Sequence, residues 1–106
     1  MADNFDDRKK SFESKFAHDA ELQFKVEARR NRLLGEWAAG LLGKSGDEAK
    51  AYAREVVKAD FEEAGDEDVY RKVSGDLGDR ASEADIRAKM ASLMTEAKRQ
   101  VMEEVS

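Results

Sequence analysis

The chain has no cysteine and no proline, a single histidine, and no long apolar run in its 106 residues. Without Cys there can be no disulfides and no thiolate metal sites, and His18 alone leaves little for zinc, so no metal and no cofactor is expected. The lack of Pro, with no alternating Val/Ile/Thr runs, argues against a loop-rich or all-β chain. No stretch approaches the length of a membrane span. The opening MADNFDDRKK lacks the apolar core of a signal peptide, so the expectation is a cytoplasmic protein.

What is present is charge. Hydrophobic residues make up 41% and charged residues another 41%, with a mean hydropathy of -0.78. A narrow core under a densely charged surface suits thin amphipathic helices. By length the chain is one domain. Its net charge of -5 is unevenly spread: residues 1–42 carry eight basic and eight acidic side chains, so the whole excess lies in residues 43–106. An acidic body with a neutral arm is a poor partner for nucleic acid.

From Asn4 to Leu42 no Pro interrupts a helix, and Gly35 and Gly40 come only near the end. Such a helix would span about 55 Å, against about 33 Å for the next longest, Glu83 to Glu104. A body built to the shorter length cannot cover the longer one. A bend is therefore expected between Ala17 and Glu27, where the apolar pattern also changes.

Asn4 reads as an N-cap, with Asp6 and Asp7 in the first turn. Phe5, Phe12 and Phe16 follow at spacings of seven and four on one side of the helix. Val26, Leu33, Leu34, Trp37, Ala38, Leu41 and Leu42 then form a wider core-facing surface, flanked by Arg29, Arg30 and Arg32. Gly43 stops this helix, and Ser45 with Glu48 reads as a capping box for a second one running to about Glu63, closed by Gly65. Its apolar face is Ala49, Tyr52, Ala53, Val56, Val57 and Phe61. Asp66 caps a short third helix, and Ser82 with Asp85 a last one bearing Ile86, Met90, Leu93, Met94, Ala97, Val101 and Val105. The expected fold is all-α, a four-helix bundle with a long N-terminal helix whose first half projects from the body or is flexible. Residues 1–20 form the arm and 21–106 the body.

Two motifs suggest chemistry and lose it on inspection. Ala38 to Ser45 fits a P-loop with Ala in place of the first Gly, but a helix precedes it where a strand is required. A helix–turn–helix corner is the simpler reading, leaving Lys44 and Ser45 at a helix start as a weak anion or nucleotide site. His18 beside Asp19 has no Ser or Cys nucleophile near it, so no catalytic set can be built and no enzyme is expected.

The phenylalanine line has two readings, packing under the body or lying in a partner's groove, and the overshooting helix favours the groove. Burying three Phe yields about 2 to 3 kcal/mol each, whereas ordering some twenty residues costs about 1 to 2 kcal/mol apiece. Three rings alone do not fold an arm. It needs helix formed in advance or charge pairs to the partner.

The stretches FDDRKKSFESKFAHD, ARRNRLLGEWAA, YAREVVKADFEEAGDEDVYRKV and IRAKM resemble the zeta subunit of the alphaproteobacterial F-type ATP synthase, a natural inhibitor of its ATPase activity. The resemblance runs in order from Phe5 to about Met94. It implies a four-helix fold, a monomer when free, whose segment Phe5 to Asp19 enters a catalytic interface between the large subunits and blocks the rotor in the hydrolysis direction. The matching residues Phe5, Asp6, Asp7, Arg8, Phe12, Glu13, Phe16, His18 and Asp19 would make that contact, with Arg29 and Arg30 where the helix joins the body. It also implies attachment through the synthase to the cytoplasmic face of the inner membrane. Ser14 departs from the family, where Asn would be expected. The alternative is a small helical ligand-sensing domain that weakly binds a nucleotide or other anion. If the arm is the effector, residues 1–20 fused to an unrelated soluble carrier retain part of the inhibition of ATP hydrolysis; a fusion with no inhibition at all removes that role.

Overall fold

The structure, a computed structural model, describes residues 4–60 and 66–105, with side chains from residue 7 onward. The described residues are helical with no strand: α1 (Asn4–His18), α2 (Ala20–Leu41), α3 (Gly46–Ala59), α4 (Glu67–Leu77), a 3-10 turn (Gly78–Arg80) and α5 (Glu83–Val105). All-α is the fold class expected from the sequence. The expected four helices are five, because the long first helix is broken.

The break is made by a cap and needs neither Pro nor Gly. Asp19 adopts extended backbone (φ -111°, ψ 103°), and its carboxylate accepts hydrogen bonds from the N–H groups of Glu21 and Leu22 at 3.0 and 3.2 Å. Those donors are orphans at any helix start, so Asp19 serves as the N-cap of α2. The Gln23 side chain donates to the Phe16 carbonyl at 2.7 Å, answering one of the free acceptors at the end of α1.

The chain therefore turns, and α1 lies back on the body. This corrects the expectation of a projecting first half. Phe12 is only 6% exposed, packed in a cluster with Leu22, Val26, Ala97, Val101 and Met102, with Phe16 at its edge. The spine of the molecule is the pair α2 and α5, which run antiparallel. Arg29 reaches Gln100 at 2.9 Å at one end, and Lys89 lies 5.6 Å from the Trp37 ring at the other. The α1 cluster covers the first end. At the second, α3 and α4 close a larger core of Leu34, Ala38, Tyr52, Val56, Val69, Val73, Leu77, Ile86 and Met90.

Helices α2 and α3 meet backbone to backbone at Gly35. A Cβ there would lie 2.6 Å from the Ala53 Cα, so only glycine permits the crossing. Gly43, at φ +77°, ends α2 as expected: the Lys44 N–H reaches the Ala39 carbonyl at 2.9 Å and the Gly43 N–H that of Gly40 at 3.2 Å. This is a Schellman motif. The last helix opens with the expected reciprocal box, Asp85 N–H to Ser82 Oγ at 3.1 Å and Ser82 N–H to Asp85 Oδ2 at 3.3 Å. The shorter Asp suffices in place of Glu.

Three local expectations differ. Ser45 makes no side-chain cap bond to α3. Asp66 makes none to α4 and is turned toward Arg30 instead. Leu41, expected in the core, is 41% exposed. The expected helix end at Glu63 and Gly65, and Phe61 on its face, lie outside the described residues. Gly35→Ala should lower stability by about 1 to 3 kcal/mol, because the two backbones must part. Gly40→Ala, where an added Cβ meets nothing, should raise it by up to about 1 kcal/mol. Thermal melts of both variants test the crossing, and a neutral Gly35→Ala would refute it.

Candidate functional site

Docking turns α1 inside out relative to a free amphipathic helix. Phe12 faces the body, with its ring centroid 6.2 Å from that of Phe16, and the Lys98 ammonium lies 4.7 Å from the Phe16 ring. Asp7, Arg8, Lys9, Lys10, Glu13 and Lys15 are exposed, as are His18 and Asp19 at the break. The side chains of Phe5 and Asp6 lie outside the described residues. The described part of the arm thus shows charge to solvent and keeps Phe12 covered and Phe16 half-buried. The cover is incomplete: a cleft of about 310 Å³ remains between α1 and α5, floored by Phe12 and Met102 and rimmed by Lys9, Glu13, Lys98 and Arg99. Arg99 is itself engaged by Glu96 and Glu103, and the exposed Glu96 carboxyl is pulled down to about 2 by hydrogen bonds from Arg99 and Gln100.

The two arginines expected where the arm joins the body sit differently. Arg29 is half-buried, bonded to Gln100 and paired with Glu104 across the α2–α5 seam. Arg30 is 1% exposed; its Nε donates to Asn31 Oδ1 at 2.6 Å and its guanidinium to Asp66 at 2.8 Å. A buried guanidinium must find acceptors, and these tie α2 to the residue just before α4. In this conformation Arg30 offers no surface to a partner.

Around Arg30 acids outnumber bases. Burial raises the Asp60 carboxyl above its ordinary value, and the negative charges of Asp66 and Asp68 add to that against the opposing pull of Arg30 and Asn31. Glu27 is raised too, by burial first and then by Asp60 and Asp66. A second network joins α3 to α4: Tyr52 donates to Asp76 at 2.9 Å, and Lys72 bridges Asp76 and Glu55. Burial pulls Asp76 upward, but hydrogen bonds from Lys72 and Tyr52 overcome it and hold the carboxyl below its usual value.

At the Lys44–Ser45 corner, the stretch resembling a P-loop is the last turn of α2 and the Schellman turn. Ser45 leaves the first N–H groups of α3 without a side-chain acceptor. The Lys44 charge, however, acts on the Asp76 carboxylate, which opposes a bound anion. Among the described residues no three His, Asp or Glu side chains are grouped to hold a metal ion. No described helix is long and apolar enough to cross a membrane.

The described residues define a small all-α protein of charged amphipathic helices with its first helix laid on the rest. The model of one family, ATPase inhibitor subunit zeta, matches residues 1–100, and the chain belongs to that family. A protein whose solution structure was determined by NMR is 65% identical to it and superposes with a TM-score of 0.74, over 79% of this chain and 99% of its own. No curated protein matches the chain.

The Arg30 surroundings set a pH dependence. Because the folded Glu27 carboxyl titrates above 4.5, the folded state holds a proton that the unfolded chain has lost, and this group's contribution falls as pH rises through that interval. Glu27→Gln should therefore raise the melting temperature at pH 7 and change it less near pH 4.5. An equal effect at both pH values, or a loss at pH 7, contradicts the assignment.

Proposed function

We propose that this protein inhibits ATP hydrolysis by the F-type ATP synthase, and that residues 1–20 are the effector, wedged into a catalytic interface of the large subunits to block the rotor. The observation that carries the reading is the Asp19 cap. It makes α1 a helix complete in itself, joined to α2 through one extended residue and held to the body by the Phe12 and Phe16 contacts.

Detachment has a bounded cost. Uncovering Phe12 gives up about 2 to 3 kcal/mol, which burial of the same ring in the catalytic interface returns; Leu22, Val26, Val101 and Met102 are uncovered with it, and that part must be met by the other contacts of the arm with the head. An arm that is already helical avoids most of the ordering cost of about 1 to 2 kcal/mol per residue. The docked state lowers apparent affinity by the fraction of molecules in which the arm is free. Direction selectivity follows if the interface closes on the arm during hydrolysis and opens during synthesis, since a ligand shifts an equilibrium only by its differential affinity.

In this reading Phe5, Asp6, Asp7, Arg8, Phe12, Glu13, Phe16, His18 and Asp19 touch the head, while Arg29 and Arg30 brace the hinge through Glu104 and Asp66. The free protein is a monomer and reaches the cytoplasmic face of the inner membrane through the synthase. The anion reading at Lys44 and Ser45 is the weaker, given the Asp76 carboxylate beside it. The test is ATP hydrolysis by the isolated catalytic head with the full chain and with a chain lacking residues 1–19. Inhibition by the full chain that vanishes on truncation is expected; equal inhibition by the truncated chain overturns the arm as effector.

A further inference from the structure

Away from the arm, α2 and α3 leave a groove of about 350 Å³ between them, lined by Arg32, Glu36, Lys50, Ala53, Arg54 and Val57. Its floor is apolar, with Ala53 2% exposed and Val57 half-buried. Its rim is basic. Arg32 is partly answered by Glu36 at 4.0 Å, whereas Lys50 and Arg54 make no ion pair with any described residue and are exposed.

The helix itself gives no reason for this arrangement. Lys50, Arg54 and Lys58 stand at i, i+4 and i+8 on α3, a like-charge stripe that disfavours the helix carrying it. On α2 the like-charged Lys25 and Arg29 are both answered by Glu104. On α4 and α5, Arg71 pairs with Asp68, Lys72 with Asp76 and Glu55, Arg87 with Glu67 and Glu83, and Arg99 with Glu96 and Glu103. Unpaired cations around an apolar floor, on a chain of net charge -5, form a local exception to the field of the molecule.

We infer that this groove is a second docking surface, which takes a short acidic segment of the ATPase head carrying one or two apolar side chains. The charge argument selects that occupant. The acidic chain as a whole repels an acidic partner, whereas this basic rim attracts one, so the groove orients the encounter as well as strengthening it. A nucleic acid or an anionic membrane needs a broad basic face, and three cations beside an acidic body do not make one. The body then holds the arm close to its target, raising its effective concentration there. The inference rests on the head being the partner.

The experiment titrates full-length protein into ATP hydrolysis by the isolated head at low and high salt, comparing wild type, Arg54→Glu, Arg54→Gln and Arg80→Glu. Arg80 is exposed on the turn before α5, and its reversal changes net charge as much as that of Arg54. Arg54→Glu is expected to raise the half-inhibitory concentration at low salt by about tenfold, to flatten its salt dependence, and to leave maximal inhibition intact because the arm is untouched. Arg54→Gln falls between, and Arg80→Glu stays within about twofold of wild type. Circular dichroism melts of the variants that match wild type attribute the change to contact and not to unfolding. If wild type inhibits and Arg54→Glu matches it at both salts, or Arg80→Glu weakens it equally, the groove is refuted while the arm stands. If wild type itself neither inhibits nor co-sediments with the head, the partner is wrong and both readings fall.

Discussion

One carboxylate accepting two backbone N–H groups decides the shape of this molecule. Without the Asp19 cap, residues 4–41 would read as one rod with about half its aromatic line beyond any core. With it, the rod becomes two helices, and the first folds onto the second and the last. An N-cap contributes only about 1 kcal/mol, but here it chooses between geometries, because every contact of α1 follows from the direction taken at Asp19. The same interaction separates α1 from α2 as an element of its own. The cap belongs to α2, while the end of α1 is held by the Gln23 side chain on the Phe16 carbonyl.

The rest of the body has a division of its own. The α2–α5 pair carries two separate apolar clusters, one beneath α1 and one closed by α3 and α4. The larger core is fixed by features remote from the arm: backbone contact at Gly35, the Schellman turn at Gly43 and the Tyr52–Asp76–Lys72 network. Arg30 and Asp66 tie the start of α4 to α2 at the junction of the two clusters. Helix α1 covers Leu22, Val26, Val101 and Met102, and none of its described residues enters the larger cluster.

Charge follows the same division. On α4 and α5 the arginines are spent on intramolecular pairs, many of them exposed and individually weak. On α1 and α3 the cations face solvent with no ion pair to a described residue. Since exposed pairs contribute little to stability, the contrast bears on what the surface meets more than on what holds the fold.

Much of this was legible in the residues. Absence of Pro and Cys, helical spacing, Gly43 and the Ser82–Asp85 box set an all-α chain with its later helices in place, because these signals act within a few residues of themselves. The family was legible as well, carried by ordered stretches from Phe5 to Met94. The bend was legible only as a window from Ala17 to Glu27, since an Asp inside a helix-forming run reads equally as a solvated side chain or as a cap. Burial of Phe12 against α5 decided between them, across more than eighty residues of chain. Arg30 lies in a run that reads as a solvated stripe; only the arrival of Asp66, 36 residues on, made its burial tolerable. Periodicity and capping are local and belong to the sequence, whereas the cover given to an aromatic line and the acceptors given to a buried cation depend on which distant helix comes to lie beside them, and that the tertiary structure alone decided.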